Sequence, residues 1–267
     1  MMFRKILVPT DFSVCSQHAA ELAIGLARKC GSEVHFFHRE TDPDLHMPVT
    51  MANRVADNLK DFIATIDHHG VIVSHSQASG NLVDLILEIT SEKKSDLIVM
   101  GTHGLQGFSK LFIGSNTQKI VRLSPVPVLA VKNKIEEIRF SNVVFTSNFI
   151  GNSRNAYMKF LSFAALFNAK VHLLHVNTLS FLAEPATMVK ASMEEFKQLA
   201  PEGKCEIHTI VSYNVEEGIE QFIKKTGADL VCVATEGRSG FSRLLRGSIA
   251  EEVVNYLDLP VLTVSID

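Results

Sequence analysis

Residues 95–131 read SDLIVMGTHGLQGFSKLFIGSNTQKIVRLSPVPVLAV, and residues 228–264 repeat this pattern as ADLVCVATEGRSGFSRLLRGSIAEEVVNYLDLPVLTV. Between Gly101 and Ser115, eight of the fifteen positions carry the same residue in both copies. Self-similarity at a fixed distance indicates a duplicated structural unit. The chain is therefore predicted to contain two copies of one domain.

The repeat extends to the beginning of each half. Residues 5–38 read KILVPTDFSVCSQHAAELAIGLARKCGSEVHFFH, and residues 142–175 read NVVFTSNFIGNSRNAYMKFLSFAALFNAKVHLLH. Both stretches place an apolar strand, a polar turn, a periodic helix and a second strand in the same order. The charged stretch 132–139 separates the halves, which gives predicted domains at residues 1–134 and 138–267.

Each half is predicted to be a doubly wound α/β domain with a five-stranded, mainly parallel sheet and helices on both faces. Strands such as DLIVM and KILV are continuously apolar, which is typical of parallel strands that are covered on both sides. In the first half the predicted strands are 6–9, 33–38, 71–76, 97–100 and 128–131, and the predicted helices are 16–30, 49–68, 82–94 and 115–123. Ligands of such sheets bind at the carboxyl ends of the strands, where the strand order reverses.

The glycine run after the fourth strand suits a phosphate group. Gly101 and Gly104 permit positive φ angles and close approach of an anion to the backbone. Gly114 and Ser115 begin a helix whose first N–H groups and dipole attract negative charge. His103 lies inside the turn and is placed to touch a phosphate. The alternative is a tight turn followed by a capped helix with no ligand, and the residues alone leave both readings open.

Asp11 ends the first strand and has two interpretations. Its carboxylate can accept hydrogen bonds from a ribose hydroxyl or an adenine amine. It can equally be the N-cap of the helix that follows in TDFS. The two roles are compatible, so neither is excluded at this stage.

The bulk properties exclude some partners. The chain has 267 residues, a formal net charge of -3 and 46% hydrophobic residues, which gives no electrostatic reason to expect nucleic acid or a membrane surface as a partner. The start MMFRKILVPTDF lacks the features of a signal peptide, and no run is long and apolar enough to span a membrane. A cytoplasmic location is therefore predicted.

With both halves in view, the chain resembles the universal stress protein family in its tandem two-domain form. The resemblance is carried by KILVPTDFS, VHFFH and VHLLH, DLIVMGTHG, PVPVLAV and the spacing Gly101-x2-Gly104-x9-Gly114-Ser115. It implies an adenine nucleotide alpha hydrolase-like fold and the binding of ATP. In that family the aspartate of the first strand lies near the base and sugar, and the glycine loop surrounds the phosphates.

Carried to this chain, the resemblance implies a nucleotide site in the first half. Arg39 stands where the family commonly has valine at the end of the second strand, so it is expected beside the adenine. The implied contacts are Pro9, Thr10 and Asp11 at the adenosine, Met100 and Gly101 along the loop, and Gly104, Gly114, Ser115 and Asn116 at the phosphates.

The second half departs from the family pattern and is expected to hold a degenerate site. Asn148 replaces the aspartate and cannot supply a carboxylate, and Ala234 replaces the first glycine and disfavours positive φ. Gly237, Gly247 and Ser248 retain part of a phosphate cradle. One nucleotide per chain, in the first half, is therefore predicted.

No catalytic residue and no metal site are predicted. A nucleophile, a base and an orienting group cannot be assembled from the sequence. The pairs His35 with His38 and His172 with His175 lie three residues apart in strands, so each pair points to opposite faces and structural roles are expected.

The predicted function is nucleotide-dependent regulation in the cellular stress response, with ATP or a related adenine nucleotide as the ligand. Two alternatives stay open: slow ATP hydrolysis or adenylate chemistry assisted by Mg²⁺, and a scaffold that has lost nucleotide binding and acts through protein partners. The halves are expected to pack as an intrachain pseudo-dimer through the VPVLAV and LPVLTV edges, and further homodimerisation is expected.

Overall fold

The computed structural model describes residues 3–40, 58–102, 114–149, 153–178, 185–235 and 249–266. The chain divides into two compact units. The first comprises residues 1–120 and 128–138, and the second comprises residues 121–127 and 139–267.

The first unit contains a parallel sheet of five strands in the order β3-β2-β1-β4-β5. Every strand and helix predicted for this half is present, although the part of the second helix at residues 49–57 lies outside the described residues. The strands are β1 (Lys5–Thr10), β2 (Glu33–Glu40), β3 (Val73–Ser79), β4 (Leu97–Gly101) and β5 (Val128–Val131), and the helices are α1 (Val14–Cys30), α2 (residues 58–64), α3 (Leu82–Glu92) and α4 (Ser115–Leu123).

The second unit repeats this arrangement with the strand order β10-β9-β6-β7-β8, again parallel throughout. Its strands are β6 (Asn142–Thr146), β7 (Lys170–Asn177), β8 (Cys205–Val211), β9 (Leu230–Thr235) and β10 (Val261–Ser265). Its helices are α5 (Arg154–Ala165), α6 (Ala186–Leu199), α7 (Val215–Thr226) and α8 (Ile249–Tyr256). The predicted fold class, two repeated doubly wound α/β domains, is confirmed.

The same aspartate contact joins the central strands of each unit. Asp96, just before β4, accepts hydrogen bonds from the backbone N–H groups of Arg4 and Lys5 at 2.8 and 3.1 Å. Asp229, just before β9, accepts from Ser141 and its neighbour in the same way, at 2.6 Å for Ser141. This contact fixes the start of the first strand against the fourth in both units.

The ends of α1 show how the local sequence defines an element. Ser13 is the N-cap, because its hydroxyl accepts a hydrogen bond from the N–H of Ser16. Gly31 ends the helix with φ 67, a left-handed conformation that glycine adopts without strain, and its N–H bonds to the carbonyl of Ala27.

Of the helices in the described ranges, none has the length and apolarity to cross a membrane.

Candidate functional site

The first sheet opens between β1 and β4. Strand order reverses at this point, because β2 and β3 follow β1 on one side while β4 and β5 lie on the other. In the described part of these strands, the ladder between β1 and β4 pairs only Ile6 with Leu97 and Leu7 with Ile98. The ladder from β1 to β2 continues to Thr10, and that from β4 to β5 continues to Gly101. The carboxyl ends of β1 and β4 therefore border a crevice.

Pro9 explains why this ladder stops. The carbonyl of Lys5 accepts a hydrogen bond of 2.8 Å from the N–H of Asp96, so the backbone of Lys5 faces β4. Successive residues of a strand face alternate neighbours, so Leu7 and Pro9 also face β4. Because proline has no N–H, it cannot donate the next hydrogen bond of the ladder.

The second unit lacks this interruption. Thr146 occupies the position that corresponds to Pro9 and has an N–H group. The ladder between β6 and β9 continues through Phe145 with Cys232 and Thr146 with Val233. The crevice that opens in the first sheet is therefore closed by two further pairs in the second.

Asp11 lies at the mouth of the first crevice, in a turn that holds its carboxylate. Oδ1 of Asp11 accepts a hydrogen bond of 3.1 Å from the N–H of Ser13, and Phe12 has a positive φ of 65. The hydroxyl of Thr10, a buried residue, accepts from the N–H of Phe12 at 3.1 Å. The interpretation of Asp11 as the helix N-cap is wrong, because Ser13 has that role.

The wall beside Asp11 includes an aromatic pair that the sequence analysis did not place in the site. The rings of Phe12 and His38 stack with centroids 4.3 Å apart, and Nδ1 of His38 lies 2.8 Å from the carbonyl oxygen of Thr10. Arg39 follows on β2 and is exposed. The sequence did contain a signal for this pair: an aromatic residue directly follows the aspartate of the first strand, and a histidine lies near the end of the second strand.

The end of β4 shows why Gly101 must be glycine. A Cβ at this position would lie 2.7 Å from the carbonyl carbon of Cys15 and 2.9 Å from the nitrogen of Ser16. The φ of Gly101 is not positive, so the expectation that a positive φ requires glycine is wrong at this position, and Gly104 lies outside the described residues. Close contact with the first turn of α1 is the cause at Gly101.

Helix α4 begins beside the end of β4, where Met100 is buried. The N–H of Gly114 donates to the carbonyl of Thr102 at 2.8 Å, and the hydroxyl of Thr117 donates to that of Gly101 at 3.2 Å. The N–H of Gly114 is thus used within the protein, and the N–H groups of the first turn of α4 follow it.

Ser115 and Asn116 are exposed in that turn, which contains no acidic residue. N–H groups at the start of a helix, together with its dipole, favour an anion. His103 and Gly104, which were predicted to contact phosphates, lie outside the described residues.

The corresponding helix of the second unit has the opposite charge. The first turn of α8 contains Glu251 and Glu252, at the positions where α4 has Gln118 and Lys119. Two carboxylates at a helix N-terminus interact favourably with the dipole and repel a phosphate. Of the residues predicted for the degenerate site, Asn148 is exposed after β6 and Ala234 lies in β9, while Gly237, Gly247 and Ser248 fall outside the described residues.

Ala234 coincides with a further change in the second unit. Helix α5 begins at Arg154, which aligns with Gln17, whereas α1 begins three residues earlier at Val14. The residues that align with Val14 and Cys15 lie outside the described ones.

The fold and the crevice are those of a doubly wound α/β protein with its ligand-binding position at the switch point of the sheet. The model of the universal stress protein family matches residues 2–132 and again residues 140–265. The chain therefore belongs to the universal stress protein family and contains two copies of its domain.

Individual relatives agree with this assignment. Universal stress protein Slr1230 from Synechocystis is 20% identical and aligns with 97% of this chain and 99% of its own length. Universal stress protein MJ0531 from Methanocaldococcus jannaschii is 29% identical over 51% of this chain and 86% of its own length. A crystal structure of a universal stress protein from Archaeoglobus fulgidus is 20% identical, with a TM-score of 0.76 over 98% of this chain and 96% of that one, which supports the fold.

Proposed function

We propose that the first domain binds ATP or another adenine nucleotide, and that this binding regulates what the chain does in the stress response. The observation that carries the proposal is the early end of the ladder between β1 and β4 at Pro9. Open crevices at the switch point are where such sheets bind ligands. The crevice borders the residues that the family resemblance associates with a nucleotide.

The two sides of the crevice suit the two parts of a nucleotide. The carboxylate of Asp11, held by its turn, accepts hydrogen bonds from the ribose or the base. The first turn of α4, with Ser115 and Asn116, supplies N–H groups and a hydroxyl to phosphates, and Mg²⁺ accompanies them. Met100 and Gly101 form the floor between these two contacts, and Arg39 extends from the neighbouring strand.

The same reasoning assigns one nucleotide to each chain. The second sheet lacks the opening at its switch point, since Thr146 continues the ladder. Its helix α8 presents Glu251 and Glu252 where phosphates would lie. Regulation without turnover, protein partners, homodimerisation and a cytoplasmic location stay predictions from the sequence and the family.

Calorimetric titration of the full chain with Mg-ATP tests the proposal. We expect one binding event per chain. Asp11→Ala removes a charged hydrogen-bond acceptor, which costs about 1.5–3 kcal/mol, or about 10- to 150-fold in Kd. Asn148→Ala, the matched change in the second domain, should leave Kd unchanged.

Equal weakening by Asp11→Ala and Asn148→Ala would contradict the assignment to the first domain, and absence of binding would contradict nucleotide binding altogether. Phosphate release measured in the same samples tests the regulatory role. Saturated protein that forms no product over hours supports regulation, whereas steady release that Asp11→Ala abolishes supports the enzymatic alternative.

A further inference from the structure

Three potential metal ligands meet on one face of the second sheet. His172 lies on β7, and Glu206 and His208 lie on the adjacent strand β8. In the register of these strands His172 pairs with Glu206, and Leu174 pairs with His208. Alternate residues of a strand share a face, so the three side chains project from the same side.

The distances among their ligand atoms fit a single ion. Three ligand atoms form a triangle. Nδ1 of His172 lies 3.1 Å from Nε2 of His208 and 3.8 Å from Oε2 of Glu206, and Nε2 of His208 lies 3.6 Å from Oε2 of Glu206. A point equidistant from the corners of that triangle lies about 2.0 Å from each atom, which is the distance at which Zn²⁺ binds imidazole nitrogen and carboxylate oxygen.

We propose that His172, Glu206 and His208 bind one divalent transition-metal ion of the zinc class. Two imidazoles and one carboxylate form a donor set that such ions use, with a fourth position left for water or another ligand. The side chain of Glu206 is 50% exposed and that of His208 28% exposed, so the ion has a path from solvent.

The first domain provides an internal contrast. His35 occupies the position of His172, and its two ring nitrogens lie 2.8 Å from the hydroxyls of Ser74 and Ser76. By strand register these serines correspond to Glu206 and His208. The duplication thus gives a buried histidine with two hydroxyl partners in one domain and a histidine beside two metal-ligating side chains in the other.

The burial and the apolar neighbours of the two histidines favour metal binding. His172 is buried and His208 is partly buried, and imidazole nitrogens are common ligands of such ions. The ring of Phe222 packs against both histidines, with centroid distances of 5.6 and 4.8 Å. It forms an apolar wall that limits water on that side.

Lys170 has two effects on the cluster. Its Nζ contacts Oε1 of Glu206 at 2.7 Å, which directs Oε2 toward the histidines. Its positive charge also opposes a bound cation. The proposed ion would join β7 to β8, the last strand of the order found in the second sheet, and so stabilise that edge. The sequence analysis expected a structural His172 and no metal, because His172 and His175 point to opposite faces of their strand, and it did not consider His208.

Titration of the full, chelator-treated chain with ZnCl₂ tests the proposal. We expect one Zn²⁺ per chain. Glu206→Ser and His208→Ser, which recreate the serines of the first domain, should each weaken binding by at least ~10-fold, since loss of even an outer partner of a metal ligand costs about that much. His69→Ser, a change at an exposed histidine of the first unit, should have no effect.

Lys170→Gln provides a variant that keeps all three ligands. It should bind Zn²⁺ as tightly as the unmodified chain or more tightly, because it removes the opposing charge while the glutamine amide can still donate a hydrogen bond to Oε1 of Glu206. Far-UV circular dichroism confirms that each variant is folded. The proposal is overturned if the folded chain binds no stoichiometric Zn²⁺, or if Glu206→Ser and His208→Ser bind it as the unmodified chain does.

Discussion

Replacement of Pro9 by threonine tests whether the opening between β1 and β4 creates the nucleotide site. Pro9→Thr supplies the N–H group that Thr146 has in the second domain, where the ladder continues by two pairs. The new N–H faces β4, because the backbone of Lys5, four residues earlier, accepts a hydrogen bond from Asp96 on that side. We expect the variant to extend the first ladder and narrow the crevice.

The expected cost to nucleotide binding follows from the added hydrogen bonds. Each contributes about 0.5–1.5 kcal/mol net, so opening two of them before binding costs about 1–3 kcal/mol, or about 5- to 150-fold in Kd. Loss of proline makes the unfolded chain more flexible, which costs about 0.4–1 kcal/mol and offsets the gain in stability. Affinity should therefore fall while the free energy of unfolding changes little.

Calorimetric titration with Mg-ATP measures the affinity, and amide hydrogen exchange at residue 9 reports whether the ladder has formed. Pro9→Ala is the matched variant, because it supplies the same N–H without the threonine side chain. It should lower the affinity for Mg-ATP and protect the amide of residue 9 as Pro9→Thr does. An amide protected at residue 9 together with an unchanged Kd would refute the reasoning, since the crevice would then be closed and the nucleotide still bound.

Three further predictions concern the glycine, the charge of α4 and a buried histidine. Gly101→Ala should lower the unfolding free energy of the first domain by about 1–3 kcal/mol in urea titrations, because its Cβ would overlap the backbone of Cys15. The double change Gln118→Glu and Lys119→Glu makes the start of α4 more negative by three charges, and at about 0.3–1 kcal/mol per charge it should weaken Mg-ATP binding by about 1–3 kcal/mol. Burial lowers the pKa of His35 to about 4, below the usual 6.5. As pH falls from 6.5 to 4 the unfolded state takes up this proton first, and stability should drop by about 2 kcal/mol at pH 5 from this group.

Each of these predictions has a control. Gly114→Ala should cost little stability, because the nearest atom of the described residues to its Cβ would be the oxygen of Thr102 at an ordinary 3.5 Å. The reverse charge change in the second domain, Glu251→Gln with Glu252→Lys, should leave the affinity for the first nucleotide unchanged. For His35, ring proton NMR shifts that stay constant from pH 7 to 5 would agree with the low pKa, and a midpoint near 6.5 would contradict it.

Much of the fold was predictable because the chain repeats its own pattern. Local periodicity located the strands and helices of the first half, and duplication transferred them to the second. The turn at Asp11 was only partly predictable. Both Asp11 and Ser13 are good N-cap residues, and the choice between them depends on the φ of 65 at Phe12, which no local pattern indicates.

The features that distinguish the two domains depend on contacts between distant residues. Pro9 reads as part of a strand, and its effect depends on which neighbouring strand its nitrogen faces. Gly101 is explained by the backbone of Cys15, which lies 86 positions earlier in the sequence. The cluster of His172 and His208 forms only when two strands pair in register, so spacing along the chain gave no signal for it.

Native mass spectrometry of the chain with added Mg-ATP tests the central claim most directly, because it counts nucleotides per chain. Gly114→Asp is the informative variant. Among the described residues no atom lies closer than 3.5 Å to a Cβ at this position, aspartate is a favourable N-cap that keeps α4 folded, and its carboxylate repels phosphates. The account predicts one bound nucleotide in the unmodified chain and in Asn148→Ala, and none in Gly114→Asp. Two nucleotides per chain, or an equal count in Gly114→Asp, would contradict it.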